Sequence, residues 1–270
     1  QIAAKYGEDS DVYRVRVLGE FPTTEEDNIL TLTEIEQAMN NKETDESETI
    51  EWGIDVARYG QDETTIYKRV NNTITEEWIS ENNSTMRIVG EITKRINSET
   101  EKKHIVNIDD TGVGGGVTDR LIELRNEGII NKNTVIKGVN NNSKAKDHKH
   151  YKNTITELWY KLKEVIKQLN IPNDETLKQQ LISRRYELSS DGRLMVESKD
   201  KVKKRGGNSP DRADGLLLTL YSLVRSYEVK TNLYEEPETT IKEAQEQVKK
   251  FHESGLKDRM KFYKNQRNKQ

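Results

Sequence analysis

Residues Thr49-Ile-Glu-Trp-Gly-Ile-Asp55-Val56 alternate apolar and polar positions over the length of a strand. Ile50, Trp52, Ile54 and Val56 share one face, and Glu51, Gly53 and Asp55 share the other. The ending recurs further along: Ile54-Asp55-Val-Ala-Arg-Tyr-Gly60 is echoed by Ile108-Asp109-Asp-Thr-Gly-Val-Gly114. If Ile54 and Ile108 both face a core, period-two alternation sends Asp55 and Asp109 to the opposite face. Each then stands at the carboxyl end of its strand, where open α/β sheets carry their chemistry.

Outward from these strands the pattern is that of a mixed sheet. Thr64–Val70 and Thr73–Ile79 are alternating runs joined by Asn71-Asn72, which predicts a hairpin. Ser84–Asn97 has helical spacing, and His104–Asp109 reads as a buried strand. A helix to about Asn126, a strand over Asn133–Gly138 and a polar loop over Asn140–His150 follow. Helices are expected over Tyr151–Gln168, Glu175–Leu188 and Ser209–Val224. A strand is expected over Arg193–Glu197, and a basic, glycine-ended loop over Lys199–Gly207. The first three strands should be antiparallel and the later ones parallel, flanked by helices.

The chain has 270 residues, enough for a substantial core. Charged residues make up 34 %, above the usual ~25 %, which implies a strongly charged surface. No apolar run approaches the ~18 residues of a membrane helix. There is no cysteine, which excludes disulfides, thiol catalysis and cysteine-ligated metals. Net charge is −3, so affinity for a polyanion must come from local basic patches. The chain begins with Gln1 and reads as a piece excised from something longer.

A third acidic position lies in Ser209-Pro-Asp-Arg-Ala-Asp214-Gly-Leu-Leu-Leu. Ser209 suits an N-cap and Pro210 a first helical residue. Asp211 and Asp214 are three apart and share a helix face. Asp214 enters an apolar stretch, where a carboxylate is costly unless paired or metal-bound. Carboxylates converging from two strands and a helix repel one another. Hard, oxygen-preferring cations such as Mg2+ or Mn2+ relieve that repulsion.

The turn Thr111-Gly-Val-Gly-Gly-Gly116 joins a strand to a helix. Its spacing does not match a dinucleotide-binding fingerprint. It reads either as a tight packing turn or as a set of backbone N–H groups near a phosphate. Lys199-Asp-Lys201-Val-Lys203-Lys204-Arg205 and Lys144-Ala-Lys146-Asp-His-Lys149 are basic clusters suited to a phosphate backbone. His148 and His150 read as solvent-exposed.

Four stretches together resemble the nuclease domain of the large terminase subunit of tailed bacteriophages. They are Tyr13-Arg-Val-Arg-Val-Leu-Gly-Glu-Phe-Pro22, Gly53-Ile-Asp55-Val-Ala-Arg58-Tyr-Gly60-Gln-Asp62, Ile108-Asp109-Asp-Thr111-Gly-Val-Gly-Gly-Gly116 and Ser209-Pro-Asp-Arg-Ala-Asp214. The resemblance implies a ribonuclease H-like fold that cuts concatemeric viral DNA with two Mg2+ or Mn2+ ions. It makes Asp55, Asp109 and Asp214 the metal ligands, with Asp110 an alternative to Asp109 and Asp62 and Asp211 auxiliary acids. It puts Arg58 and the two basic clusters on double-stranded DNA. It implies as partners the portal protein, the small terminase subunit and an ATPase domain preceding this one in the full-length protein. The site of action would be the procapsid in the host bacterial cytoplasm. No phosphate-binding Gly-x-x-x-x-Gly-Lys-Ser/Thr loop is present, so ATP hydrolysis is not expected here.

The expected organisation is a linker or docking arm over 1–48, the nuclease over 49–226 and a charged, partly helical tail over 227–270. Two other readings stand beside it: a junction-resolving nuclease of the same fold, and a motor part that grips DNA or the portal without cutting when isolated.

Overall fold

The computed structural model describes residues 28–42, 46–57, 62–204, 206 and 209–225. All fall within the first of the chain's two units, Gln1–Ser226. Residues 1–27 and 43–45 of the linker or docking arm expected over 1–48, the tail over 227–270, Arg58 and Arg205 lie outside the described residues.

The elements in order are α1 (Leu32–Met39), β1 (Thr49–Asp55), β2 (Thr64–Val70), β3 (Thr73–Ser80), α2 (Thr85–Asn97), β4 (Lys103–Asp109), α3 (Gly114–Asn126) and β5 (Val135–Val139). There follow α4 (Thr154–Val165), α5 (Glu175–Ile182), β6 (Tyr186–Leu188), β7 (Leu194–Val196), α6 (Lys199–Lys204), α7 (Asp211–Leu218) and α8 (Tyr221–Val224). The main sheet runs β3-β2-β1-β4-β5. β1 pairs antiparallel with β2, and β2 with β3. β1 pairs parallel with β4, and β4 with β5. This is the ribonuclease H-like mixed sheet expected from the sequence.

Strand parity sorts the two cores. Ile50, Trp52, Ile54, Ile66, Val106 and Ile108 pack against apolar residues of α2 and α3. Tyr67 and Val139 belong to a second core with α1, α4, α5 and α7. Asp55 and Asp109 share parity with this second face, the one that α7 covers. Asn107, two residues before Asp109, donates from Nδ2 to Leu218 O at 3.1 Å and ties β4 to α7.

β1 and α7 meet backbone to backbone. A Cβ on Gly53 would lie 2.2 Å from Gly215 O, and one on Gly215 would lie 2.1 Å from Thr65 Oγ1. The two glycines let the helix bearing Asp214 descend onto the strand bearing Asp55.

Several expected boundaries differ. Lys199–Lys204 is helical rather than loop. Ser198 starts the turn, with Lys201 N donating to both Ser198 O and Oγ, and Val202 is buried beneath it. Gly206, at φ 85°, ends the turn. The helix expected over Glu175–Leu188 stops at Ile182, because Tyr186–Leu188 pairs with Leu194–Val196. The helix expected from Tyr151 begins at Thr154, capped by the Asn153 side chain.

The helix expected over Ser209–Val224 starts after Pro210 and divides in two at Thr219–Leu220. Arg69 donates to Thr219 O from Nε at 3.0 Å and from Nη2 at 2.9 Å. Leu223 N then bonds Leu220 O instead of Thr219 O, and the helical ladder is broken there.

Candidate active site

Asp55 ends β1 at 8 % exposure, Asp109 ends β4, and Asp211 and Asp214 lie in the first turn of α7 at 5 % and 1 %. The parity of two parallel strands and the glycine contact under α7 bring these four acids to one end of the sheet. Burial, and then repulsion from Asp214, Asp109 and Asp211, holds the Asp55 carboxyl well above the usual carboxylate range; Lys199 works the other way. Burial also raises Asp109 and Asp211, opposed by hydrogen bonds from Thr111 and Ser209 respectively.

The charge inside this cluster is Lys199. Its Nζ is 2.8 Å from Asp214 Oδ2, 3.7 Å from Asp211 Oδ1 and 4.0 Å from Asp55 Oδ2. Burial disfavours the ammonium, but attraction from Asp214, Asp55 and Asp211 outweighs it and raises the lysine above its ordinary value. The sequence suggested a DNA contact for Lys199; in the fold it turns inward, toward the strongest negative potential within its reach.

Each outer acid is also oriented. Asp109 Oδ1 accepts from Thr111 N at 2.9 Å and from Thr111 Oγ1 at 2.6 Å. Asp109 Oδ2 accepts from Asn141 Nδ2 at 2.8 Å. Asp211 accepts from Glu63 N at 3.0 Å and from Ser209 Oγ. Ser209 therefore serves a carboxylate, not the helix N-terminus. Arg212 braces the same turn between Glu63 and Asp174. Asp214 Oδ1 is buried with no hydrogen-bond partner.

Other expected site residues fall elsewhere. Asp110 is exposed, and its carboxylate lies against Gly138, where a Cβ would be 2.6 Å from its Cγ. Asp62 is exposed and 3.8 Å from Lys203 Nζ. Lys201 pairs with Glu187, and Lys204 is exposed on α6. In the second cluster Lys144 and Lys149 are exposed. Lys146 donates to Val224 O at 3.0 Å and so anchors the end of α8. His150 is bound to Asp147, and His148 is exposed. In the glycine turn, a Cβ on Gly114 would be 1.7 Å from Asp109 O, so a close turn is required whatever else the segment does.

Sequence reasoning did not single out Asn141 or Glu63, or Thr111 as a partner of Asp109. Asn141 follows the carboxyl end of β5, the third parallel strand, and that position was the available signal.

Among the described residues, no three His, Asp or Glu side chains are gathered closely enough to hold a metal ion as they stand. The donor set nevertheless fits a hard divalent cation. It is all oxygen, already shares one cation in the Lys199 ammonium, and includes an unsatisfied buried oxygen on Asp214. Nor, among the described residues, is any helix long and apolar enough to cross a membrane.

No protein-family model and no curated protein matches the sequence. Solved structures do match in fold. The nuclease domain of the large terminase subunit gp2 of bacterial virus Sf6 superposes with a TM-score of 0.59 at 14 % identity, over 72 % of this chain and 98 % of that one. A mutant of that domain with manganese and beta-thujaplicinol gives the same values. A mutant with calcium gives a TM-score of 0.58 at 14 % identity over the same shares. The present chain has the fold of these terminase nuclease domains.

Proposed function

We propose that this chain is the nuclease domain of a tailed-phage large terminase subunit, a metal-dependent endonuclease that cuts concatemeric viral DNA during packaging. The observation that carries the reading is the meeting of Asp55, Asp109, Asp211 and Asp214 at the carboxyl end of a sheet with the terminase nuclease fold. Asp55, Asp109 and Asp214 would hold two Mg2+ or Mn2+ ions, with Asp211 beside them. When bound, such ions neutralise the carboxylates and supply the Lewis acidity that phosphodiester hydrolysis needs.

The chain's own groups supply orientation and charge. Thr111 and Asn141 fix the plane of the Asp109 carboxylate, while Ser209 and Glu63 N fix Asp211. The Lys199 ammonium stands among Asp55, Asp211 and Asp214 and offsets part of their mutual repulsion in the absence of other cations. Lys201, Lys203 and Lys204 on α6, with Lys144 and Lys149, offer positive charge to a DNA backbone without reading bases. Water attacks phosphorus in this scheme, so no protein nucleophile is required. The portal, the small subunit and a preceding ATPase domain are the partners this reading implies, at the procapsid in the host cytoplasm.

Incubating supercoiled plasmid with the purified chain and Mn2+, Mg2+ or EDTA tests the reading. Nicking and linearisation with either metal and none with EDTA are expected. A folded chain that leaves the plasmid intact under all three conditions overturns it in favour of a DNA- or portal-gripping role.

A further inference from the structure

The carboxyl end of β5 contributes a residue to the acidic cluster that is itself uncharged. Asn141 is 8 % exposed. Its backbone carbonyl accepts from Ile155 N at 3.1 Å, which fastens it to the start of α4. The Asn140 side chain is taken by Asn142 N, and Asn142 is exposed. Its Nδ2 donates to Asp109 Oδ2. The opposite amide orientation would set one oxygen against another at 2.8 Å.

The consequence is a count of acceptor positions. An ionised carboxylate has about four lone-pair sites. On Asp109, Thr111 fills two at Oδ1 and Asn141 fills one at Oδ2. One acceptor position remains, on Oδ2, and Asn141 decides which way it points. The second polar atom of Asn141, Oδ1, is buried without a partner. It is an acceptor beside the cluster with no protein donor, the chemistry that suits a hydration water of an incoming ion.

Resting on the nuclease reading, we propose that Asn141 is a positioning residue for the divalent cation. It fixes Asp109 so that a single Oδ2 position is offered to the ion, and it accepts a hydration water through Oδ1. It touches neither the scissile phosphate nor the attacking water.

Mn2+ binding by calorimetry on the full 270-residue chain is the test, run on wild type, Asn141→Leu and Ser143→Ala. Leucine keeps the Cγ-branched outline of asparagine and removes both polar atoms. Ser143 lies in the same loop but bonds Thr154, so its variant reports loop damage alone. Expected is a Mn2+ affinity about tenfold or more weaker in Asn141→Leu, with Ser143→Ala unchanged even if both melt earlier. Equal affinity in wild type and Asn141→Leu overturns the proposal while leaving the nuclease reading intact. Wild type that neither binds Mn2+ nor cuts plasmid removes both. Should Asn141→Leu fail to fold, Mg2+ titration of 15N-labelled wild type decides. The Asn141 side-chain amide must shift with the Asp109 backbone amide, and an unmoved side-chain amide at Mg2+ saturation refutes the role.

Discussion

A methyl group on Gly53 would stand 2.2 Å from the carbonyl oxygen of Gly215, so β1 and α7 can be this close only while position 53 lacks a side chain; Gly215 is held in the same way against Thr65 of β2. The contact sets the height of α7 over the sheet and with it the approach of Asp214 to Asp55. Gly215→Ala must push against Thr65 Oγ1, 2.1 Å from the new methyl, with Tyr67 also in contact. Overpacking of this kind costs about 1–3 kcal/mol. Urea denaturation should show that loss, with plasmid cleavage reduced even at temperatures where the variant is folded. A Gly215→Ala protein as stable and active as wild type would mean that α7 has another way to seat.

Asp55→Asn and Asp214→Asn separate chemistry from stability. Each keeps the side-chain shape and removes a negative charge from a buried, mutually repelling set. Cleavage should fall more than about a hundredfold. In EDTA, Asp55→Asn should melt no earlier than wild type, because the neutral amide escapes the burial cost that raises the carboxyl. Thermal melting beside the cleavage assay reads both, and undiminished cutting would remove Asp55 from the ligand set.

The basic residues act through salt if they meet a phosphate backbone. Lys204 and Lys149 are exposed on different elements. Replacing either by alanine should weaken duplex binding alike across sequences and reduce the slope of log affinity against log salt by about 0.9. Fluorescence anisotropy between 50 and about 200 mM salt, with metal replaced by EDTA, measures it. Unchanged slopes would move the DNA path off α6 and the 144–149 segment.

Legibility followed the range of the interactions. Asp55 and Asp109 were readable because parity is local: Ile54 and Ile108 face one core, so their neighbours face the other side. The hairpin at Asn71-Asn72 was equally local, and Asn71 adopts the positive φ of 51° that asparagine tolerates. The break at Thr219 was not legible, since Arg69 causes it from 150 positions away. Lys199 was visible as a charge but not as the partner of Asp214, because its direction depends on a short helix started by Ser198. Asn141 carried no charge and matched no motif, so only the sheet order could bring it to Asp109.

At the other end of the sheet, His104 gives a pH dependence of stability. Its Nδ1 accepts from Trp52 Nε1 at 3.0 Å, and its Nε2 faces Glu99 O at 2.9 Å. Only the tautomer with hydrogen on Nε2 satisfies both. Burial holds the imidazole below its ordinary value of 6.5, against the pull of the Glu99 carbonyl; Lys68, near the Trp52 ring, lowers it further. The folded state thus binds fewer protons than the unfolded one just below pH 6.5. Stability from this site is fully present above that pH and declines as pH falls toward the lower folded pKa. Urea midpoints measured from pH 8 to about 5 should fall relative to those of His104→Gln as pH drops, whatever slope the raised carboxyls add to both proteins. Parallel curves would assign the acid sensitivity to other groups.

Lys199→Ala asks what the internal ammonium does when no metal is present. Without it, Asp55, Asp211 and Asp214 lose the cation they share at 2.8–4.0 Å. The lysine side chain keeps 43 % exposure, so solvent screens part of the effect, and a loss of about 1 kcal/mol in EDTA is the expected scale. On the proposed function Mn2+ would bind the folded site alone, so it should return more stability to this variant than it adds to wild type, where the ion would compete with the ammonium for the same oxygens. Thermal melts of both proteins in EDTA and across a Mn2+ series make the comparison. Equal Mn2+-induced shifts would show that Lys199 and the ion do not share those carboxylates.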